Sequence, residues 1–184
     1  MSGATPFQTV GPFFRFGLVF DGCDRPVGAS EGTRIVVEGT VRDGAGAPVP
    51  DALIETWQAD SSGRYHHPED RRAGNGAPFD GFRRTATDPD GKFSLTTVRP
   101  GPVPGPGNRQ QAPHLVVGVF ARGLLTRLVT RIYFEGEVAN DQDPILELVP
   151  QARAATLVAR RVGEGRYRFD IVLQGKDETV FFAP

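Results

Sequence analysis

RRTATDPDGKFSLTTV, residues 83–98, decides the fold class. Asp88-Pro89-Asp90-Gly91 combines a turn-initiating aspartate, a proline with its φ preset and a glycine able to take positive φ, and reads as a type I turn with a bulge. The flanking runs 84–87 and 92–98 carry β-branched and apolar residues at alternate positions, so they are expected as strands joined by a hairpin connection. Working outward, similar short runs recur. Residues 34–41 (RIVVEGTV) place Ile35, Val37 and Val41 on one face, with Glu38 and Thr40 opposite. Residues 52–58, 114–121, 128–134, 167–173 and 179–182 follow the same style, and turn signals such as Asp43-Gly44 and the Pro48/Pro50 pair separate them. Short strands with regular turn signals predict an all-β antiparallel sandwich or barrel.

The rest of the chain modifies that picture. After Pro150, QARAATLVARR contains good helix formers and ends in two arginines, so one short helix is expected over 151–161. Residues 1–33 hold Phe7, Phe13, Phe14, Phe16 and Phe20 without clear periodicity. So aromatic a stretch is expected to pack, on its own domain or on a partner. The organisation is therefore an extended N-terminal arm, 1–33, ahead of a β-sandwich domain, 34–184. Residues 68–81 read as a surface loop, and RPGPVPGPG (99–107) as a stiff connection into His114.

Composition excludes several functions. The chain has 184 residues, a formal net charge of −1 and charges of both signs interspersed, which argues against nucleic acid. Its single cysteine, Cys23, allows neither an internal disulfide nor a cysteine zinc cluster. No apolar run approaches the roughly 18 residues of a membrane helix, and MSGATPFQ lacks the features of a secretory signal, so a cytoplasmic location is expected. Phosphate-binding glycine loops, G-x-S-x-G elbows and H-E-x-x-H helices do not occur. A metal site would have to use His66, His67 and His114 with tyrosines or carboxylates. Adjacent histidines on an extended chain point oppositely, so His66 and His67 read as a solvated loop or, less simply, as ligands. His114, opening an apolar strand, fits a hydrogen-bonded core residue or a ligand. Arg122 in GVFARGLL must reach solvent or meet an anion.

Longer motifs narrow these alternatives. TPFQTVGPFF, IETWQADSSGRY, RRTATDPDGKF, VRPGPVPGPG, APHLVVGVFARG, TRIYFEGE and YRFDIVLQGKDETVFF together resemble the intradiol ring-cleaving dioxygenases, in order and over nearly the whole chain. Within that family the resemblance is to the alpha chain of the two-chain enzymes. It implies a β-sandwich and, in the family's catalytic beta chain, a non-haem Fe(III) held by two tyrosines and two histidines. Hard phenolate ligands suit ferric iron. The first ligand tyrosine matches Tyr65. The second, in P-G-P-Y, falls on Val103, and the H-x-H pair falls on His114 and Val116. The arginine that precedes H-x-H by three residues is here Gln111. Valine has no donor atom, so the resemblance implies that this chain keeps relic positions Tyr65 and His114, holds no metal and has no complete catalytic set.

The resemblance further implies that Fe(III) belongs to a beta-chain partner, and that the paired enzyme opens the ring of 3,4-dihydroxybenzoate (protocatechuate) with O2. In this reading Thr9, Gly11, Pro12 and Phe13 line the partner's substrate pocket, although Phe13 stands where relatives commonly carry tyrosine. Arg122 matches the family's substrate-carboxylate arginine. Two rival readings stay open: a self-sufficient dioxygenase using Tyr65, His114 and carboxylates, and a non-enzymatic module for aromatic acids.

Overall fold

The turn at residues 88–91 forms, but it does not close a hairpin. In the computed structural model, which describes residues 13–24, 32–72 and 79–183, the Asp88 amide donates to Lys92 O (2.9 Å) and the Gly91 amide to Asp88 O (2.9 Å). The Asp88 carboxylate accepts from the amides of Asp90 (2.9 Å) and Lys92 (2.8 Å). Beyond this base the two arms part into different sheets.

Among the described residues the strands are β1 (Arg34–Arg42), β2 (Leu53–Trp57), β3 (Phe82–Ala86), β4 (Lys92–Val98), β5 (Val103–Pro104), β6 (Gln110–Gln111), β7 (Leu115–Phe120), β8 (Leu128–Phe134), β9 (Val158–Gly163), β10 (Arg166–Arg168) and β11 (Ile171–Val172). One layer is β3-β2-β7-β8, antiparallel throughout. The other is β4-β1-β10-β9, with β11 continuing beside β1. The turn thus hands the chain from β3 in one layer to β4 in the other.

The sheets are mixed, which corrects the expectation of a purely antiparallel sandwich. β1 runs parallel to β10 and β11, and β8 runs parallel to β9 through Tyr133↔Val158 and Phe134↔Ala159. Residues 135–157, a chain of 3-10 turns and the four-residue helix Gln151–Ala154, form a crossover long enough to bring β9 in alongside β8 in the same direction.

That crossover also corrects the expected helix at 151–161. Only its first four residues are α-helical. Ala155–Leu157 tightens into a 3-10 turn and Val158 opens a strand. Leu157 and Ala159 are fully buried, and β9 pairs with both β8 and β10. Long-range pairing overrides a weak local preference here. The arm contributes a second short helix, Phe13–Leu18, and its following residues attach to the edge of β3, where the Arg84 amide donates to Cys23 O at 3.0 Å.

The layers meet on their inner faces. Ile35, Val37 and Val41 from β1, Phe93 and Leu95 from β4, Leu115, Val117 and Val119 from β7, and Ile132 and Phe134 from β8 share one cluster. Alternation fixes the consequence: His114, Val116, Arg131 and Tyr133 project from the outer face. There Tyr133 packs with Ala112, Leu146, Val149 and Leu157, beneath the crossover. Gly39 is required by a close approach, because a Cβ there would fall inside the van der Waals shell of Phe169 O. Gln58 ties the layers together. Its Nε2 donates to Ala59 O and Val98 O (both 3.0 Å), and its Oε1 accepts from Thr97 Oγ1 at 2.6 Å.

Candidate functional site

Trp57, Val116 and Arg131 are cross-strand neighbours on the outer face of β2, β7 and β8. Tyr65 reaches this face on the loop that follows β2. Asp60 organises the loop, accepting from the amides of Ser62 (2.8 Å) and Arg64 (2.9 Å) and facing His66 Nε2 at 3.1 Å. Burial pulls the Asp60 carboxyl upward in pKa, but these bonds outweigh it and leave it below its ordinary range. Gly63, at φ +77°, lies so close to Pro102 O that no Cβ fits, and the Gly101 amide donates to Asp60 O at 2.8 Å. The tyrosine loop is therefore pinned to the proline-glycine run that carries Val103.

The Tyr65 amide donates to Asp70 Oδ2 at 2.9 Å, and its ring stacks on Trp57 with centroids 5.8 Å apart and planes at 8°. The Arg72 guanidinium grips Asp70 with both ends of its fork and holds that carboxyl down at about 2. Burial raises the Tyr65 phenol above its ordinary value, with the positive charge of Arg131 pulling the other way. His66 and His67 diverge on a tight turn in which the His67 amide donates to Tyr65 O (2.8 Å): one faces Asp60, the other sets its ring edge-on to Trp57 at 6.3 Å. Trp57, Tyr65, His67, Asp70 and Arg72 line an aromatic cleft of about 520 Å³ with Glu69 and Pro104. A larger cleft, about 1060 Å³, follows the crossover and includes none of the expected site residues.

His114 is a hydrogen-bonded core residue, 4% exposed. Its Nδ1 faces Ala112 O at 2.7 Å, and since a carbonyl only accepts, Nδ1 carries the proton. Burial, reinforced by the charge on Arg131, lowers its pKa to about 4, so the ring is neutral at neutral pH. It packs on Tyr133 with centroids 5.5 Å apart. Sequence reading missed the group that connects these residues. Arg131 Nη1 donates to Gln111 Oε1 (2.6 Å) and to Tyr133 Oη (3.2 Å), and Tyr133 Oη donates to Asp143 Oδ1 (3.1 Å). Asp143, fully buried, also accepts from the amides of Ala112, Ile145 and Leu146. The available signal was an arginine at an outward position two residues before a tyrosine, in TRIYF.

Arg122 lies at the other end of β7, eight residues of chain from His114, or roughly 25 Å of extended strand. The apolar setting suggested by GVFARGLL is corrected: Arg122 occupies a turn, its side chain 64% exposed, with Nε 3.1 Å from Asp51 Oδ2. Both Asp51 oxygens are buried and take no directed hydrogen bond, so the pair is close in distance but poorly aimed. Thr9, Gly11 and Pro12 lie outside the described residues, as does the side chain of Phe13, whose backbone opens the first helix. Phe16 and Phe20, further along the arm, are 73% and 61% exposed.

A dioxygenase family model matches residues 21–175. The chain is 42% identical to a protocatechuate 3,4-dioxygenase alpha chain from Burkholderia cepacia, over 97% of this chain and 96% of that one. The chain belongs to the intradiol dioxygenase family. A beta chain of the same name and organism is 39% identical, over 80% of this chain and 67% of its own length. The solved dioxygenase domain of a carbohydrate-binding fusion protein from Streptomyces sp. SirexAA-E superposes with a TM-score of 0.60 at 28% identity, covering 93% of this chain and 99% of that domain.

Intradiol dioxygenases depend on non-haem iron. The residues present here do not fit that ion. Val103, 3% exposed, pairs with Gln111 between β5 and β6 and offers no donor, and Val116 offers none either. Tyr65 and His114 keep donor atoms but face a guanidinium. Among the described residues no three His, Cys, Asp or Glu side chains cluster as a metal site. No chemical step on iron is assigned to this chain.

Proposed function

We propose that this chain is the alpha subunit of a protocatechuate 3,4-dioxygenase. The assembled enzyme joins one O2 to 3,4-dihydroxybenzoate, breaking the ring bond between the two hydroxylated carbons and placing one oxygen atom on each, to give 3-carboxy-cis,cis-muconate. The observation that carries this reading is the pair of valines at two of the four family ligand positions in a chain that keeps the rest of the fold. Fe(III) then belongs to the beta chain, and this chain supplies pocket wall, charge and assembly surface.

Arg122 and the arm have the chemistry for those tasks. A mostly exposed guanidinium on a turn can meet the carboxylate of a substrate held in a neighbouring chain. Thr9, Gly11, Pro12 and Phe13 would form the wall of that pocket, and the exposed rings of Phe16 and Phe20 are suited to a covered interface. The division into an arm, 1–33, and a sandwich domain, 34–184, belongs to the same proposal, as does assembly in the cytoplasm.

The test is co-expression with a beta chain. The complex should turn over protocatechuate and carry iron and its colour, while the full chain purified without a partner should do neither. About one iron and full activity in the lone chain would establish a self-sufficient enzyme instead. Calorimetric binding of protocatechuate by the lone chain, with no activity gained on pairing, would favour the binding module.

A further inference from the structure

The outer-face cluster keeps a positive charge although two of its family ligand positions hold valine. Val116, at one lost position, is flanked in register by Trp57 and Arg131. Tyr65 stacks on Trp57, and His114, two residues before Val116 on the same face, packs on Tyr133. Arg131 bonds to Tyr133 Oη and to Gln111, whose backbone pairs with Val103 at the other lost position. The guanidinium therefore lies among both surviving donors and beside both vacated ones. Among the described residues no carboxylate forms an ion pair with it; the Gln111 amide oxygen, the Tyr133 phenol and the face of the Phe182 ring, 6.0 Å away, surround it. A half-buried cation held by dipoles and a ring face, with no counter-charge, is costly unless its surroundings favour positive charge.

We propose that the Arg131 guanidinium has replaced the metal: it fills the vacated position, supplies the positive charge around which these side chains are arranged, and shuts metal ions out. Charge counting agrees. Fe(III) with two phenolates leaves one positive charge among the protein groups. A guanidinium beside one neutral tyrosine and neutral histidine also leaves one. Gln111 stands where the family places an arginine, so the guanidinium lost from that strand is returned from β8.

The inference rests on the family's ligand positions and not on the substrate. Three full-length variants test it, each incubated with ferric citrate and assayed for iron per chain and for a tyrosinate-to-iron charge-transfer band. Val103→Tyr/Val116→His restores four donors with Arg131 in place, and should stay essentially free of iron. Adding Arg131→Gln should raise iron occupancy at least tenfold and bring up the band. Adding Arg131→Lys instead should again exclude iron. Equal uptake by the double variant and the Arg131→Gln triple variant would overturn the proposal. If the Arg131→Gln triple variant does not fold, a folded, iron-free lysine variant supports the cation's role and an unfolded one overturns it. Iron in the unmodified chain would count against the subunit reading as well, a separate failure.

Discussion

Arg122→Ala separates a substrate clamp from a merely structural ion pair. Arg122 Nε and Asp51 Oδ2 are 3.1 Å apart. At an effective dielectric of about 20 the Coulomb attraction is about 5 kcal/mol before screening. The guanidinium is 64% exposed, so solvent reduces its net worth to about 1 kcal/mol. Truncation also strands a carboxylate whose two oxygens are buried without hydrogen bonds, which adds a desolvation cost of about 1 kcal/mol or more. A loss near 2 kcal/mol corresponds to roughly 4–8 °C in Tm for a chain of this size. Asp51→Asn removes the stranded buried charge, so the Arg122→Ala/Asp51→Asn double variant should recover most of that loss. Activity follows a different pattern. In the complex with a beta chain, Arg122→Ala should lower kcat/KM for protocatechuate about tenfold or more, a cost above 1.4 kcal/mol. Catechol, which has no carboxylate, should be turned over nearly as before, and Asp51→Asn should not restore the protocatechuate rate. Steady-state kinetics on both substrates beside thermal melts read all of this. Equal losses for protocatechuate and catechol would refute the carboxylate role, and an unchanged Tm would refute the pairing argument.

The remaining expectations concern stability and assembly. Gly39→Ala should separate β1 from the β10–β11 edge, because the added methyl meets Phe169 O, and cost above about 4 kcal/mol, seen as loss of soluble protein or of a cooperative melt. Gln58→Leu removes three hydrogen bonds and strands the Thr97 hydroxyl, so urea unfolding should show a loss of about 3 kcal/mol. His114 takes a proton near 6.5 when unfolded and at about 4 when folded, so the unfolded chain binds more protons between those values. Its contribution, on the order of 3 kcal/mol, is complete above pH 6.5 and lost as pH falls toward 4. The difference in stability between wild type and His114→Asn should shrink over that window, and a pH-independent difference would contradict it. Phe16→Ser/Phe20→Ser should reduce aggregation of the lone chain and weaken pairing with a beta chain, both measurable by light scattering.

How far the residues announce this structure depends on where each element's interactions come from. β1, β4, β7 and β8 carry their own alternation and were legible. β9 was not, because ARAATLVARR suits a helix locally and becomes a strand only through partners in β8 and β10. The run 167–173 splits into two strands because the Asp170 carboxylate takes the Thr40 amide (2.9 Å) that a continuous ladder would use. Residues 179–182 contribute only a bridge, Val129↔Phe182, and the Thr179–Val172 bond. In the site, Tyr65, His114 and the two valines were readable from motifs. Arg131 was not, since its significance lies in standing across from Val116, a relation that exists only once β7 and β8 are in register.

That register bears on whether one chain could perform the reaction alone. His114 and Arg122 sit at opposite ends of β7, and the pairing of β2 repeats the separation: Trp57 lies opposite Val116 near the relic ligands, and Leu53 opposite Phe120 near Arg122. Sliding β7 by one residue to shorten the gap would turn Leu115, Val117 and Val119 out of the core, so the distance cannot relax. Roughly 25 Å is far longer than one aromatic ring with its carboxylate. A substrate held by Arg122 is therefore out of reach of Tyr65 and His114 in the same chain. If Arg122 does orient a carboxylate, the metal that acts on that ring must be carried by another chain. On the proposed role of Arg122, its position and the valines Val103 and Val116 would lead to the same division of labour. One rests on the chemistry of the side chains, the other on strand geometry.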